Sequence, residues 1–234
     1  MNWQILKEFC EHLIFPESCP ICGAPGKIIC PECLSALLEK EGVPKPHWLT
    51  DGVPPSFYTP GGEYEVRTRT IYRGVARTLI LAAKYGTCGR LAQILGKELA
   101  TLVSDLGPGW VIVLVPPHRK IQMRPTGDRR LEWMAGGLSS HTGYPVREVL
   151  GWRYECGSQK GCIDHAARRK LPQDCFVCTG EVPEKVLLLD DVTTTGTTLL
   201  RCASCLYAAG ARQVISLSWA QAHSTPQIRD RGLI

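Results

Sequence analysis

"VLLLDDVTTTGTTL", residues 186–199, decides how this 234-residue chain is read. Val186 to Leu189 form a continuous apolar run, the pattern of a strand covered on both faces in a parallel sheet. Asp190 and Asp191 follow at once. Desolvation and mutual repulsion oppose burying two adjacent carboxylates. They are therefore expected at the C-terminal rim of the strand, where open α/β sheets bind ligands.

The turn that follows holds Thr194, Thr195, Gly196, Thr197 and Thr198. Gly196 opens backbone conformations closed to other residues, so that successive N–H groups converge on one point. The threonines add hydroxyl donors, and the start of the next helix adds unpaired N–H groups and a positive dipole end. Together these features describe a monophosphate cradle. The lysine of a nucleoside-triphosphate loop is missing, as are the spaced glycines of a dinucleotide fold. A phosphate in the turn and vicinal hydroxyls on the two acids match a ribose 5-phosphate. The plainer alternative is a threonine-capped strand–turn–helix with two solvent-facing acids.

Outward from this stretch, helical and strand patterns alternate, as in an α/β sheet domain. Helical periodicity marks 70–86 and 90–106, and a short buried strand at 110–117 ends in Pro116 and Pro117. Residues 129–143 suggest a helix weakened by Gly136 and Gly137. The motif strand covers 185–192, a helix over 198–211 stops at Gly210, and a third strand covers 213–222. The expected organisation is a segment 1–41, a Pro/Gly-rich linker 42–62 and a sheet domain 63–234.

"CPICGAPGKIICPEC", residues 19–33, places Cys19, Cys22, Cys30 and Cys33 as two Cys-x-x-C pairs with seven residues between them. Doubled pairs at this spacing point to a closed four-thiolate zinc site, which holds together a segment too short for its own core. Gly23 suits the turn after the second ligand. Among the other cysteines, Cys175 and Cys178 lie on an apparent strand, and Cys156 and Cys162 lie upstream. A second metal site from these four is the weaker reading. Core filling is the default for Cys10, Cys88, Cys202 and Cys205.

The composition fits a folded chain, with 44% hydrophobic and 21% charged residues. The formal charge of +5 favours anionic ligands without separating sugar phosphates from nucleic acid. The start, "MNWQILKEFCEHLIF", has the spacing of an amphipathic helix and lacks the continuous apolar stretch of a signal peptide. A soluble, cytoplasmic protein with no membrane partner is expected. Aromatic residues are only 7%, which gives little interleaving for base stacking.

"VLLLDDVTTTGTT" closely resembles the phosphoribosyl pyrophosphate motif of type I phosphoribosyltransferases. With the N-terminal cysteine pairs, "RTLILAAKYG", "GRLAQILG", "VLVPPHRK" and "SQKGCIDHAARRK", nearly the whole chain resembles the ComF family of competence-associated, phosphoribosyltransferase-like proteins. Where that family has an Arg followed shortly by Gly-Phe-Asn-Gln, this chain keeps only Arg124.

The resemblance implies a type I phosphoribosyltransferase-like parallel sheet flanked by helices, with a small N-terminal zinc-binding segment. It implies that Asp190 and Asp191 act on the ribose, within a motif that continues through Val192 and Thr193 to Thr198. Pro117, His118 and Arg119, after Pro116, would face the pyrophosphate with Mg²⁺. Lys/Arg at 119, 120, 124, 129 and 130 would bias that region positive, and Arg168, Arg169 and Lys170 would belong to a covering loop. Lys84 matches a family lysine of open role. The implied activity is transfer of phosphoribose to an unidentified acceptor. The competing reading is a non-catalytic module of the competence machinery that binds single-stranded DNA or competence proteins and keeps a sugar-phosphate site.

Overall fold

The computed structural model describes residues 18–41, 47–49, 64–85, 89–117, 129–153 and 175–222. A six-stranded sheet forms its centre. The strands are β1 (His47–Leu49), β2 (Tyr64–Ile71), β3 (Trp110–Leu114), β4 (Val146–Arg147), β7 (Lys185–Thr193) and β8 (Gln213–Gln221). Their order across the sheet is β1-β2-β8-β7-β3-β4, parallel throughout except for β1, which runs antiparallel on the β2 edge. A separate antiparallel pair joins β5 (Leu150–Trp152) to β6 (Phe176–Cys178).

Helices cover both faces, as the unbroken apolar strands require. On one face α2 (Gly74–Tyr85), α3 (Arg90–Glu98) with its 3-10 extension Leu99–Val103, and α4 (Arg130–Thr142) pack on Leu187, Leu189, Ile215, Leu217 and Trp219. On the other face α5 (Thr197–Ala208) and Phe176 pack on Val186, Leu188 and Val214. Alternation along β7 produces this division, because successive side chains point to opposite faces.

The architecture is the expected parallel sheet flanked by helices, with the strands at 110, 185 and 213 and the helix after Gly196 where the sequence placed them. Several local features differ. Thr70 and Ile71 end β2 and do not open a helix. Glu65, Arg67 and Arg69 alternate with Val66, Thr68 and Thr70 along this strand, a period of two. Arg67 satisfies itself on that strand by pairing with Glu65 at 2.6 Å and with Asp105 at 2.6 Å. In the Pro/Gly-rich stretch, His47 to Leu49 form strand β1. The N-terminal amphipathic pattern lies outside the described residues.

Of the two glycines in α4, Gly137 is required by packing and Gly136 is not. A Cβ on Gly137 would sit inside the van der Waals shell of the Gln93 carbonyl, and one on Gly96 inside that of Met134. The glycines let α3 and α4 approach backbone to backbone, which fixes α4 where its first residue reaches the end of β7.

Candidate functional site

Parallel pairing aligns the ends of β3 and β7. Leu114 stands opposite Leu189, and the Val115 N–H donates to the Leu189 carbonyl at 3.0 Å. Pro116 and Pro117 therefore leave the sheet beside Asp190 and Asp191. The indole Nε1–H of Trp152 donates to the carbonyls of Pro116 at 3.3 Å and Pro117 at 3.2 Å, which holds this turn from the β5 side. His118 and Arg119 lie outside the described residues, as do Arg124, Arg168, Arg169 and Lys170.

Asp190 and Asp191 are half-buried at the rim, and β7 continues through them to Thr193. They straddle the strand. Asp190 follows Leu188 on the α5 side, and its carboxylate adds to the burial that pushes the Cys202 thiol well above its usual range. It also shares a row with Ser218 and Thr68 across the sheet. Asp191 follows Leu189 on the α4 side, where its Oδ2 lies 2.7 Å from Arg130 Nη1. Each acid also grips the backbone ahead of it: Asp191 N–H donates to Asp190 Oδ1 at 2.9 Å, and Val192 N–H to Asp191 Oδ1 at 2.8 Å.

Arg130 was missed as a partner of the acids. In the sequence it is one of five basic residues between 119 and 130, and nothing there distinguishes it from Arg129. The structure separates them. The Arg130 side chain is 10% exposed and paired with Asp191, whereas the Arg129 side chain is 61% exposed, bound to Glu132 and stacked over the Trp133 ring.

Beyond Thr193, the chain turns through Thr194 and Thr195 to Gly196, which has φ 73° and caps α5. A left-handed conformation at that point selects glycine. The Leu200 N–H closes the first helical turn on the Gly196 carbonyl at 2.9 Å. Thr195 and Thr197 bring their Oγ1 atoms to 2.9 Å of each other, and Thr198 follows in the first helical turn. The buried hydroxyl of Thr193 has no hydrogen-bond partner among the described residues. Five hydroxyls, a left-handed glycine and a helix N-terminus thus share one edge of the sheet with the acid pair.

The N-terminal cysteines gather as their spacing predicts. The four Sγ atoms of Cys19, Cys22, Cys30 and Cys33 lie within 4.8 Å of one another, and Cys22 and Cys30 are 3.6 Å apart. Tetrahedral zinc with Zn–S bonds of about 2.3 Å separates its sulfurs by roughly 3.8 Å. The cluster therefore fits a metal ion and is consistent with zinc. Gly23, at φ 75°, makes the turn, and its N–H donates to the Cys19 carbonyl at 2.8 Å. Cys30 precedes and Cys33 opens α1 (Pro31–Glu41), whose positive end favours thiolates.

The clustered thiols perturb one another's titration. Burial raises Cys19, but the N–H groups of Cys22, Cys30 and Ile21 and the Cys22 thiol outweigh it and bring it down to about 6. Burial and the neighbouring sulfurs push Cys30 up to about 11, and the Cys22 sulfur, followed by burial, pushes Cys33 up to about 12. Cys175 is buried and Cys178 half-buried, while Cys156 and Cys162 fall outside the described residues. Among the described residues, the N-terminal set is the only group of three or more side chains that could hold a metal. No described helix is long and apolar enough to cross a membrane.

No family model matches the chain, and no curated protein matches it. Solved structures do align with part of it. The allosteric regulatory enzyme of purine biosynthesis is 23% identical with a TM-score of 0.36, over 54% of this chain and 25% of that one. The glutamine phosphoribosylpyrophosphate amidotransferase from B. subtilis, complexed with ADP and GMP, is 24% identical with a TM-score of 0.37, over 54% and 25%. A hypoxanthine-guanine phosphoribosyltransferase from Bacillus anthracis is 12% identical with a TM-score of 0.37, over 63% and 76%. The matched part thus spans about a quarter of the length of the first two.

Proposed function

We propose that this chain binds phosphoribosyl pyrophosphate with Mg²⁺ and transfers the phosphoribosyl group to an acceptor, as its resemblance to the ComF family implies. One observation carries the reading: Gly196, at φ 73°, turns the threonine-rich segment into the N-terminus of α5 beside the acid pair. That arrangement supports a 5-phosphate held by the N–H groups and hydroxyls of residues 194–198. The ribose hydroxyls would donate to Asp190 and Asp191, whose oxygens retain lone pairs beyond their backbone and Arg130 contacts.

In such a transfer the bond from the anomeric carbon to pyrophosphate breaks as the acceptor bonds to that carbon. Positive charge grows on the sugar and negative charge on the leaving group. Catalysis then rests on fixed dipoles and charges, with no protein nucleophile. The two rim carboxylates are suited to the sugar side. The Pro116–Pro117 turn and the basic residues after it are assigned to the pyrophosphate side, where Mg²⁺ would neutralise phosphate charge. Zinc in the Cys19, Cys22, Cys30 and Cys33 site has a structural role in this scheme, and the protein works in the cytoplasm.

Titration calorimetry with phosphoribosyl pyrophosphate and Mg²⁺ tests the site. Asp190→Asn with Asp191→Asn should abolish binding while circular dichroism stays unchanged. Unaltered affinity would refute the ribose assignment. Pyrophosphate release with a panel of acceptors tests the transfer. A steeply salt-dependent affinity for single-stranded DNA with no release would move the site to the non-catalytic reading.

A further inference from the structure

A second set of cysteines remains unexplained by the candidate site or the metal cluster. β6 carries Cys178 and α5 carries Cys205, and their Sγ atoms lie 3.3 Å apart. The Cys178 thiol also lies 3.5 Å from the Cys205 carbonyl, as a donor to it. Both residues are half-buried, unlike Cys175 and Cys202, which are 2% and 0% exposed and fill the core. Core filling accounts for the buried two and not for a facing pair open to small reagents. Metal binding does not account for the pair either, because no third ligand atom closes on it among the described residues.

We propose that Cys178 and Cys205 form a dithiol–disulfide couple that exchanges with low-molecular-weight disulfides and, when closed, joins β6 covalently to α5. Cys205 as thiolate attacks one sulfur of the small disulfide, and one small thiolate leaves. Cys178 then loses its proton to solvent and attacks the Cys205 sulfur. This forms the Cys178–Cys205 bond and expels the second small thiolate. The two protein thiols are oxidised by two electrons, and the small disulfide is reduced to two thiols. Closure needs the sulfurs to approach from 3.3 Å to a bond of about 2.05 Å.

The roles follow from the surroundings. The Cys178 thiol is already engaged as a donor to the Cys205 carbonyl, and burial, then the Cys205 sulfur, push it up, so Cys205 is assigned the first attack. The link would tie two supports of the candidate site together. α5 is capped by Gly196, and the β6 partner strand β5 carries Trp152, which holds the Pro116 and Pro117 carbonyls.

The test uses reduced full-length protein incubated with oxidised glutathione, blocked with N-ethylmaleimide and digested without reduction. A peptide joining residues 178 and 205 is expected, lighter by two hydrogens than its parts. Both positions should lose maleimide labelling in parallel and regain it after dithiothreitol. Cys178→Ala should accumulate a glutathione adduct on Cys205 that wild type resolves. A persistent adduct on wild-type Cys205, a link from Cys205 to another cysteine, or independent labelling of the two positions would overturn the proposal. The wild-type peptide map decides the matter even if the variant fails to fold.

Discussion

Arg130 Nη1 lies 2.7 Å from Asp191 Oδ2, tying the first residue of α4 to the end of β7 with only 10% and 17% of the two side chains exposed. The pair fixes one of the two rim carboxylates as an anion in a set orientation. Arg130→Met leaves that anion buried without its partner and should cost about 3 kcal/mol of stability. Thermal unfolding measures this, and Arg130→Met with Asp191→Asn should recover part of the loss.

The close contact of α3 and α4 gives a paired test. Gly137→Ala forces a methyl group against the Gln93 carbonyl and should destabilise by about 1–3 kcal/mol. Gly136→Ala meets nothing within 4 Å. It should be neutral or stabilising, by up to about 1 kcal/mol, through helix propensity. Chemical denaturation of the two single variants should therefore give opposite or sharply unequal shifts.

Elemental analysis of wild-type protein purified without chelator should find one zinc per chain. Cys19→Ser with Cys22→Ser should lose it and lower the melting temperature. Wild-type protein free of metal would count against a zinc site.

Trp152→Phe keeps an aromatic ring on the side facing Phe176, which the indole meets at 4.5 Å, but removes the Nε1–H that holds the Pro116 and Pro117 carbonyls. A loss of about 1 kcal/mol in stability is expected. If the proposed ligand binds there, its calorimetric affinity should fall more than stability does.

Asp105 contributes a pH-dependent increment. Its bond to Arg67, working against burial, holds the carboxyl below its ordinary value. A depressed folded-state value means that the stabilisation is fully present above the unfolded carboxylate range, near 3.9. It is lost as pH falls through the folded value. Asp105→Asn should flatten the acid limb of the stability curve and leave the neutral region less stable than wild type, as urea midpoints across pH would reveal.

The parts of the fold legible in the sequence are those where one physical signal dominates. Val186–Leu189, Trp110–Leu114 and the run from Gln213 are apolar enough to require two covered faces, and Gly196 marks the turn into α5. Four thiols at doubled spacing gather as expected. β2 was illegible as a strand because three charged side chains line it, although Arg67 finds Glu65 and Asp105 and Arg69 finds Glu98. Arg130 escaped notice for the opposite reason. Its partner lies 61 positions on, and only the approach of α4 to β7 brings the two together. Gly137 looked like a defect because the Gln93 carbonyl that excludes a side chain there is remote in sequence.

Cys19, Ile29, Cys30 and Leu37 belong to the same apolar cluster as Trp110, Leu187 and Trp219. The cysteine-bearing segment is thus a wall of the main interior and not a detachable tag. Removal of an ion bound by the four cysteines should loosen this shared interior, to which Trp110 and Trp219 belong, and tryptophan emission should respond to a chelator well before the chain loses its helices. Expression of a version trimmed of these residues would expose the greasy side of the sheet, and precipitation is the outcome to expect.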